Sequence, residues 1–221
     1  MGDHDEGNSG EVRTRRRGQE LIDAIHQAVL EEVAEVGLGR LTMEGIAKRA
    51  ATARTTLYRR WNDPTDLLLE ALFNLYPVEK PSPQADDLRG DLIRALRLLV
   101  EWMDTCSGRA VCAIFNDPGC DARLMQALSE RVFTPRGGTF TQTVLRHYAA
   151  NGYFDSGLIT PVVTQIGEAL VINMVTEQRT MPSEKDLANI VDQAILPAVG
   201  YGRHVCDCRS RRAHLRDLQE E

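Results

Sequence analysis

The sequence predicts an all-α protein, with an N-terminal three-helix helix-turn-helix domain ahead of a larger C-terminal helical bundle. Three observations carry this prediction. Apolar residues recur at three- and four-residue steps in almost every long segment, helix start and stop signals punctuate those segments, and no period-two alternation is long enough for a strand. The chain has 221 residues, 43% of them hydrophobic, which is enough apolar mass for a sizeable core. No run reaches the roughly 18 apolar residues that a membrane span needs, and MGDHDEGNSG has no signal-peptide character.

Leu21, Ile22, Ile25, Ala28, Val29, Val33 and Val36 form the stripe of an amphipathic first helix, which Gly37 and Gly39 end. Two short helices follow at about 43–50 and 54–61, and a fourth opens at Asn62-Asp63-Pro64, where Asp63 caps and Pro64 suits the first turn. Pro77, Pro81 and Pro83 make the next stretch a linker. Leu88, Leu92, Ala95, Leu96, Leu99, Trp102 and Met103 mark a helix at about 86–106, and a shorter one covers about 108–116 before Asp117-Pro118-Gly119. Asp121 opens the next. Thr134-Pro135 and Thr160-Pro161 both read as a cap followed by a first-turn proline, and Ser183 with Asp186 reads as a capping box before a last helix at about 184–201. The expected organisation is a disordered acidic N-terminus (1–11), a helix-turn-helix domain (12–76), a linker (77–85), a bundle (86–201) and a basic tail (202–221).

The net charge of −6 hides an asymmetry. Residues 11–62 carry ten Lys/Arg against seven Asp/Glu, whereas residues 63–221 carry sixteen against twenty-two. A basic N-terminal segment on an acidic remainder points to an anionic partner for that segment alone. Two short helices joined by a tight turn, the second rich in bases, follow the logic of a helix-turn-helix. Leu57 and Trp61, four residues apart, fix the buried face of the second helix and leave Arg54, Thr55, Tyr58 and Arg59 free to reach outward. Arginine reads guanine with two bonds, threonine methyls pack on thymine, and hydroxyls hold phosphates. Arg13, Arg15, Arg16 and Arg17 form a basic arm that suits phosphates or a narrow minor groove.

The run LTMEGIAKRAATARTTLYRRWNDPTDLLLEAL resembles the DNA-binding domain of the TetR family of bacterial transcriptional regulators, over about residues 12–75. The resemblance implies phosphate contacts from Thr42 and Tyr58 and base-facing positions at Arg54, Thr55 and Thr56. Three positions depart from the family pattern. Ala51 occupies the turn position usually held by glycine, Ala53 the usual Ser/Thr cap, and Pro64 the place of a phosphate-gripping lysine, a role that passes to Arg59 or Arg60.

The C-terminal part offers no catalytic constellation: His147 and Glu168 stand apart, and no nucleophile elbow or phosphate loop occurs. An enzyme is not expected, nor is a cofactor or a metal. Cys106, Cys112 and Cys120 lack ligand spacing, and arginines surround the tail cluster His204, Cys206, Cys208 and His214. Trp102, Met103, Cys106, Phe115, Phe140, Tyr148 and Asn173 are candidates to line a small-molecule pocket, with Asn173 as an amide in need of a partner. The apolar helices at about 160–178 and 184–201, with Ile166 and Ile190 among their apolar residues, are the expected homodimer interface. The expected function is a cytoplasmic, ligand-responsive repressor that binds a palindromic double-stranded DNA operator as a dimer. The rival readings are a metal- or redox-responsive sensor of the same fold, and a small-molecule-binding protein that has lost DNA binding.

Overall fold

The computed structural model describes residues 18–201, and every regular element among them is helical. The arm with Arg13, Arg15, Arg16 and Arg17, the acidic N-terminus and the Cys/His tail therefore lie outside the described residues. Helix α1 (Gln19–Val36) buries Ile25, Ala28, Val29 and Val33 and ends at Gly37, whose φ of 81° places it in the left-handed region that favours glycine. A 3-10 turn (Leu38–Arg40) leads to α2 (Met43–Arg49) and α3 (Arg54–Tyr58), and α4 (Pro64–Leu75) follows. Asp63 caps α4 as expected, its carboxylate accepting the N–H groups of Thr65 and Asp66 at 2.7 and 2.9 Å.

Helix α5 (Leu88–Met103), capped by Asp87, is the axis of the C-terminal bundle and packs against the helices that follow. Helix α6 (Cys106–Phe115) starts two residues earlier than the sequence implied. Thr105 caps it, and Gly108 lets it begin directly after α5: a Cβ there would lie 2.0 Å from the Trp102 carbonyl oxygen. Helix α7 (Ala122–Leu128) runs on through a π-helical turn (Ser129–Phe133) into a 3-10 turn (Thr134–Arg136). Thr134-Pro135 thus closes a helix instead of opening one. The true start signal is Thr139 with Gln142, the capping box of α8 (Phe140–Ala150). Thr160-Pro161 does open α9 (Pro161–Thr176), and Ser183 with Asp186 caps α10 (Glu184–Ile190), which continues through Val191–Ile195 to Leu196–Ala198.

Helix α1 links the two halves, since it packs on α2 and α4 on one side and on α6 on the other. Polar contacts reinforce this junction. Asp117, in the α6–α7 loop, accepts the Leu38 N–H at 2.7 Å, and Arg131 pairs with Asp66 of α4 at 2.9 Å. Inside the bundle, Gly167 brings α9 close to its neighbours, because a Cβ would meet Ile195 at 2.7 Å and Leu96 at 3.2 Å. Asp91, in the first turn of α5, is buried, and accepts Tyr148 Oη at 2.7 Å, Ser82 N–H at 2.8 Å and the Arg94 guanidinium. The linker is thereby tied to both α5 and α8. Its Glu79 is also buried and is pushed up to about 7, first by burial and then by the Asp91 charge.

Candidate nucleic-acid interface

Helices α2 and α3 are held from behind by apolar packing and ion pairs. Met43, Ile46, Ala47 and Ala50 are buried on the α2 side, Leu57 and Trp61 on the α3 side. The Trp61 indole donates to Glu70 of α4 at 2.9 Å, and the same carboxylate faces His26 of α1 at 3.3 Å. Burial pulls His26 below the ordinary histidine value, ahead of the opposing pull of Glu70. Helices α1 and α4 together therefore fix the end of α3. At the α2 terminus, Arg49 pairs with Glu32, Glu35 and, at 3.8 Å, Glu31 of α1, so it belongs to the scaffold.

The turn between α2 and α3 pivots on Ala51, whose φ is 52°. An alanine in that region costs roughly 1–2 kcal/mol relative to glycine, so the departure noted in the sequence is a genuine local strain. Ala53 leaves α3 without a side-chain cap, and no Thr52 hydroxyl bond replaces it among the described residues.

What this scaffold presents is a short exposed face. Arg54, Thr55, Tyr58, Arg59 and Arg60 are all exposed, and Thr56 is half-buried beside Leu57. Tyr58 is 58% exposed, an unusual setting for an aromatic ring and one that leaves its hydroxyl free for a phosphate. Arg59 and Arg60 make no ion pair with the described residues, whereas Arg54 leans on Glu44 of α2 at 3.2 Å. With both partners well exposed, that pair contributes at most about 1 kcal/mol and orients the guanidinium without sequestering it. Thr42 caps α2, accepting the Gly45 N–H at 3.1 Å. Pro64 sits in the first turn of α4, as the sequence implied, and offers no cation there.

The candidate pocket residues do not converge. Trp102 and Phe140 pack with Tyr76 and Phe133 in a closed aromatic cluster, centroids 5.2–5.7 Å apart, and the Trp102 indole donates to Ser107. Tyr148 is fully buried on Asp91, and Phe115 lies largely on the surface. Asn173 finds its partners in its own chain, donating to Glu177 at 2.7 Å and accepting from Gln178 at 3.1 Å. Only Met103 and Cys106 line an open cleft, together with residues of α1 and α2. Ile190 also turns inward, into the core of its own subunit, while Val162, Leu170 and Ile172 of α9 face outward.

A model described as bacterial regulatory proteins, tetR family, matches residues 25–71, and the tetracyclin repressor-like C-terminal domain matches residues 82–194. The chain belongs to the TetR family of bacterial regulatory proteins. It is accordingly a transcriptional regulator of the helix-turn-helix type. An HTH-type transcriptional regulator of Bacillus subtilis is 21% identical over 55% of this chain, which spans just under two thirds (63%) of that protein. One of Mycobacterium tuberculosis is 23% identical over 77% of this chain and 83% of its own length. AqdR of Rhodococcus erythropolis is 25% identical over 74% and 83%. The fold is similar to that of a protein from Mesorhizobium loti described as a TetR-family regulator (TM-score 0.58, 17% identity, 84% of this chain and 98% of that one). It is also similar to the SmeT–triclosan complex (TM-score 0.51, 19% identity, 82% and 91%). Among the described residues no helix is long and apolar enough to cross a membrane, and no group of three His, Cys, Asp or Glu is placed to hold a metal.

Sequence reading missed the acidic partners of this interface. Glu44, Glu70 and the Glu31/Glu32/Glu35 row set the posture of Arg54, Trp61 and Arg49. The i, i+4 spacing of Glu31 and Glu35 flags a charged face of α1, but only the folded chain shows that α2 lands on it.

Proposed function

We propose that this regulator is a cytoplasmic homodimeric repressor, not an enzyme, which binds a near-palindromic operator through the exposed face of α3 and leaves it when a small molecule binds. The observation that carries the reading is that face: Arg54, Thr55 and Tyr58 are exposed on a short helix whose back is fixed by Leu57 and Trp61. In this reading residues 12–76 form the reading head, 77–85 the linker, and 86–201 the part that takes the effector and dimerises. The outward apolar side chains Val162, Leu170 and Ile172 of α9 support a two-fold contact with a second copy, which sets two recognition helices about one DNA turn apart. SmeT, a neighbour in fold, is in complex with triclosan, and that supports a small-molecule effector for this chain as well. Burial pushes the described thiols Cys106, Cys112 and Cys120 up, away from the thiolate a redox sensor needs.

Binding-site selection on random DNA, at one salt concentration, tests the assignment. Arg54→Ala should relax one base position per half-site, at about 1–3 kcal/mol of lost discrimination. Tyr58→Phe should weaken all sites by one common factor, because a phosphate contact carries no sequence information. An unaltered selected sequence with Arg54→Ala would remove that residue from base reading, and a wild type that retains no DNA would sink the operator model.

A further inference from the structure

A cleft of about 630 Å³ opens between the reading head and the C-terminal bundle, within the size range of small-molecule sites. Its floor is soft and apolar. Met103, Cys106 and Cys112 come from the end of α5 and from α6, Met181 from the loop after α9, and Val175 from α9 itself. Thioethers and thiols are polarisable, and sulfur packs favourably against aromatic rings, so four sulfur side chains in one place suit a flat aromatic body.

The rim is charged and unevenly so. Glu31, Glu35 and Asp104 face Arg49 and Arg109. Asp104 is held by Arg109, at 3.9 Å and through its carbonyl, while among the described residues Arg49 alone serves Glu35, Glu31 and the adjacent Glu32. One guanidinium for three carboxylates leaves an excess of negative charge at the α1 wall. A cation offsets that excess; an anion adds to it.

We propose that this cleft binds a planar aromatic cation, its ring on the sulfur-lined floor and its charge beside Glu31 and Glu35, in competition with Arg49. Arg49 is the last residue of α2, the helix on which α3 leans, so an occupant that draws Glu31 and Glu35 away loosens the α1–α2 clamp. The cleft walls belong to both halves of the chain, and a ligand with different affinity for two arrangements of them shifts the balance between those arrangements. That last step rests on the operator-binding function; the binding itself does not.

Calorimetry on the full chain without DNA, with three probes of one ring system, tests the site: 1-methylquinolinium as the cation, quinoline as the neutral form at pH 8, and quinoline-2-carboxylate as the anion. The cation should bind tightest and the anion weakest. Changing Glu31→Gln and Glu35→Gln together should weaken the cation by at least about fivefold, the factor one charge gives at ~4 Å in a water-like medium, and leave quinoline unchanged. Ala34 is exposed on α1 and lines the cleft, so Ala34→Trp should obstruct it and weaken binding of both, with an unchanged melting curve to verify the fold. No binding of the cation to the wild type, equal affinity for all three probes, or full binding by Ala34→Trp would each overturn the proposal. So would a cation affinity indifferent to the paired glutamine changes, should Ala34→Trp fail to fold. A chain that binds the cation but no DNA would keep the site and refute the operator model.

Discussion

Replacing Tyr148 with Phe removes a single oxygen from the densest polar node in the molecule. Tyr148 is fully buried, and its hydroxyl donates to Asp91 at 2.7 Å and accepts the Asp87 N–H at 2.9 Å. The first bond is made to a charged acceptor and contributes about 1.5–3 kcal/mol; loss of the second strands a backbone donor at a cost of about 1 kcal/mol more. The ring stays, so no cavity opens, and the total is about 3 kcal/mol. For a chain of this length that lowers Tm by roughly 6–12 °C. Acid titration of stability supplies an independent check. Burial raises the Asp91 carboxyl, but its bonds to Tyr148, Arg94 and the Ser82 N–H outweigh that and hold it below the ordinary value. A depressed carboxyl contributes stability above its unfolded pKa and loses it as the pH falls through its folded one. Without the Tyr148 bond that loss should move to higher pH. Urea melts of both proteins from about pH 3 to pH 7 measure both effects. A destabilisation under about 1 kcal/mol with an unmoved acid limb would mean that Ser82 and Arg94 alone sustain the buried carboxylate.

Three further outcomes are expected. Ala51→Gly should stabilise the protein by roughly 0.5–1 kcal/mol, since relief of the left-handed strain exceeds the extra unfolded-chain entropy; a thermal melt that fell instead would contradict the strain reading. Val162→Glu and Leu170→Glu should yield folded monomers in sedimentation, whereas Ile190→Glu, buried in its own subunit, should unfold; stable dimers from both surface variants would move the interface elsewhere. Burial raises Glu168 to about 7 despite its bonds to Thr141, so its contribution is fullest below the ordinary 4.5 and declines as the pH rises to about 7. Glu168→Gln should therefore gain on the wild type by on the order of 1–3 kcal/mol at pH 8, leaving the comparable decline due to Glu79. Parallel pH profiles would refute that assignment.

The all-helical architecture was legible because it depends on local signals. Asp63, Asp121, Thr160 and Ser183 all cap helices, and each cap is a matter of a few neighbouring residues. Where the sequence misled, two signals competed or one was tertiary. Thr134-Pro135 carries the dipeptide of a helix start, yet the preceding helix runs through it, because Gly137 and Gly138 supply the stop and Thr139 the next cap. Leu57 and Trp61 located the exposed face of α3, since a buried pair four residues apart fixes the rotation of so short a helix. The pocket did not emerge in the same way. Aromatic residues such as Trp102 and Phe140 found one another and filled the core, while the open cleft draws on Glu31 and Arg49, whose meeting with Cys112 no helical period encodes.

Asp117 has a bearing on grafting. Its two carboxylate oxygens hold the Leu38 N–H in the α1–α2 loop and the Gly119 N–H in its own loop, each at 2.7 Å, and Gly37 leaves little room beside it, since a Cβ there would lie 3.0 Å away. The reading head is therefore not a detachable cassette. A chimera that joined α1–α4 to a foreign C-terminal half would keep every helix of the head yet lose the acceptor for the Leu38 N–H at the start of the Leu38–Arg40 turn. Transplanting this specificity onto another scaffold means carrying the Asp-Pro-Gly loop with it, a four-residue passenger (Asp117 to Cys120) located some eighty residues downstream of the loop it serves.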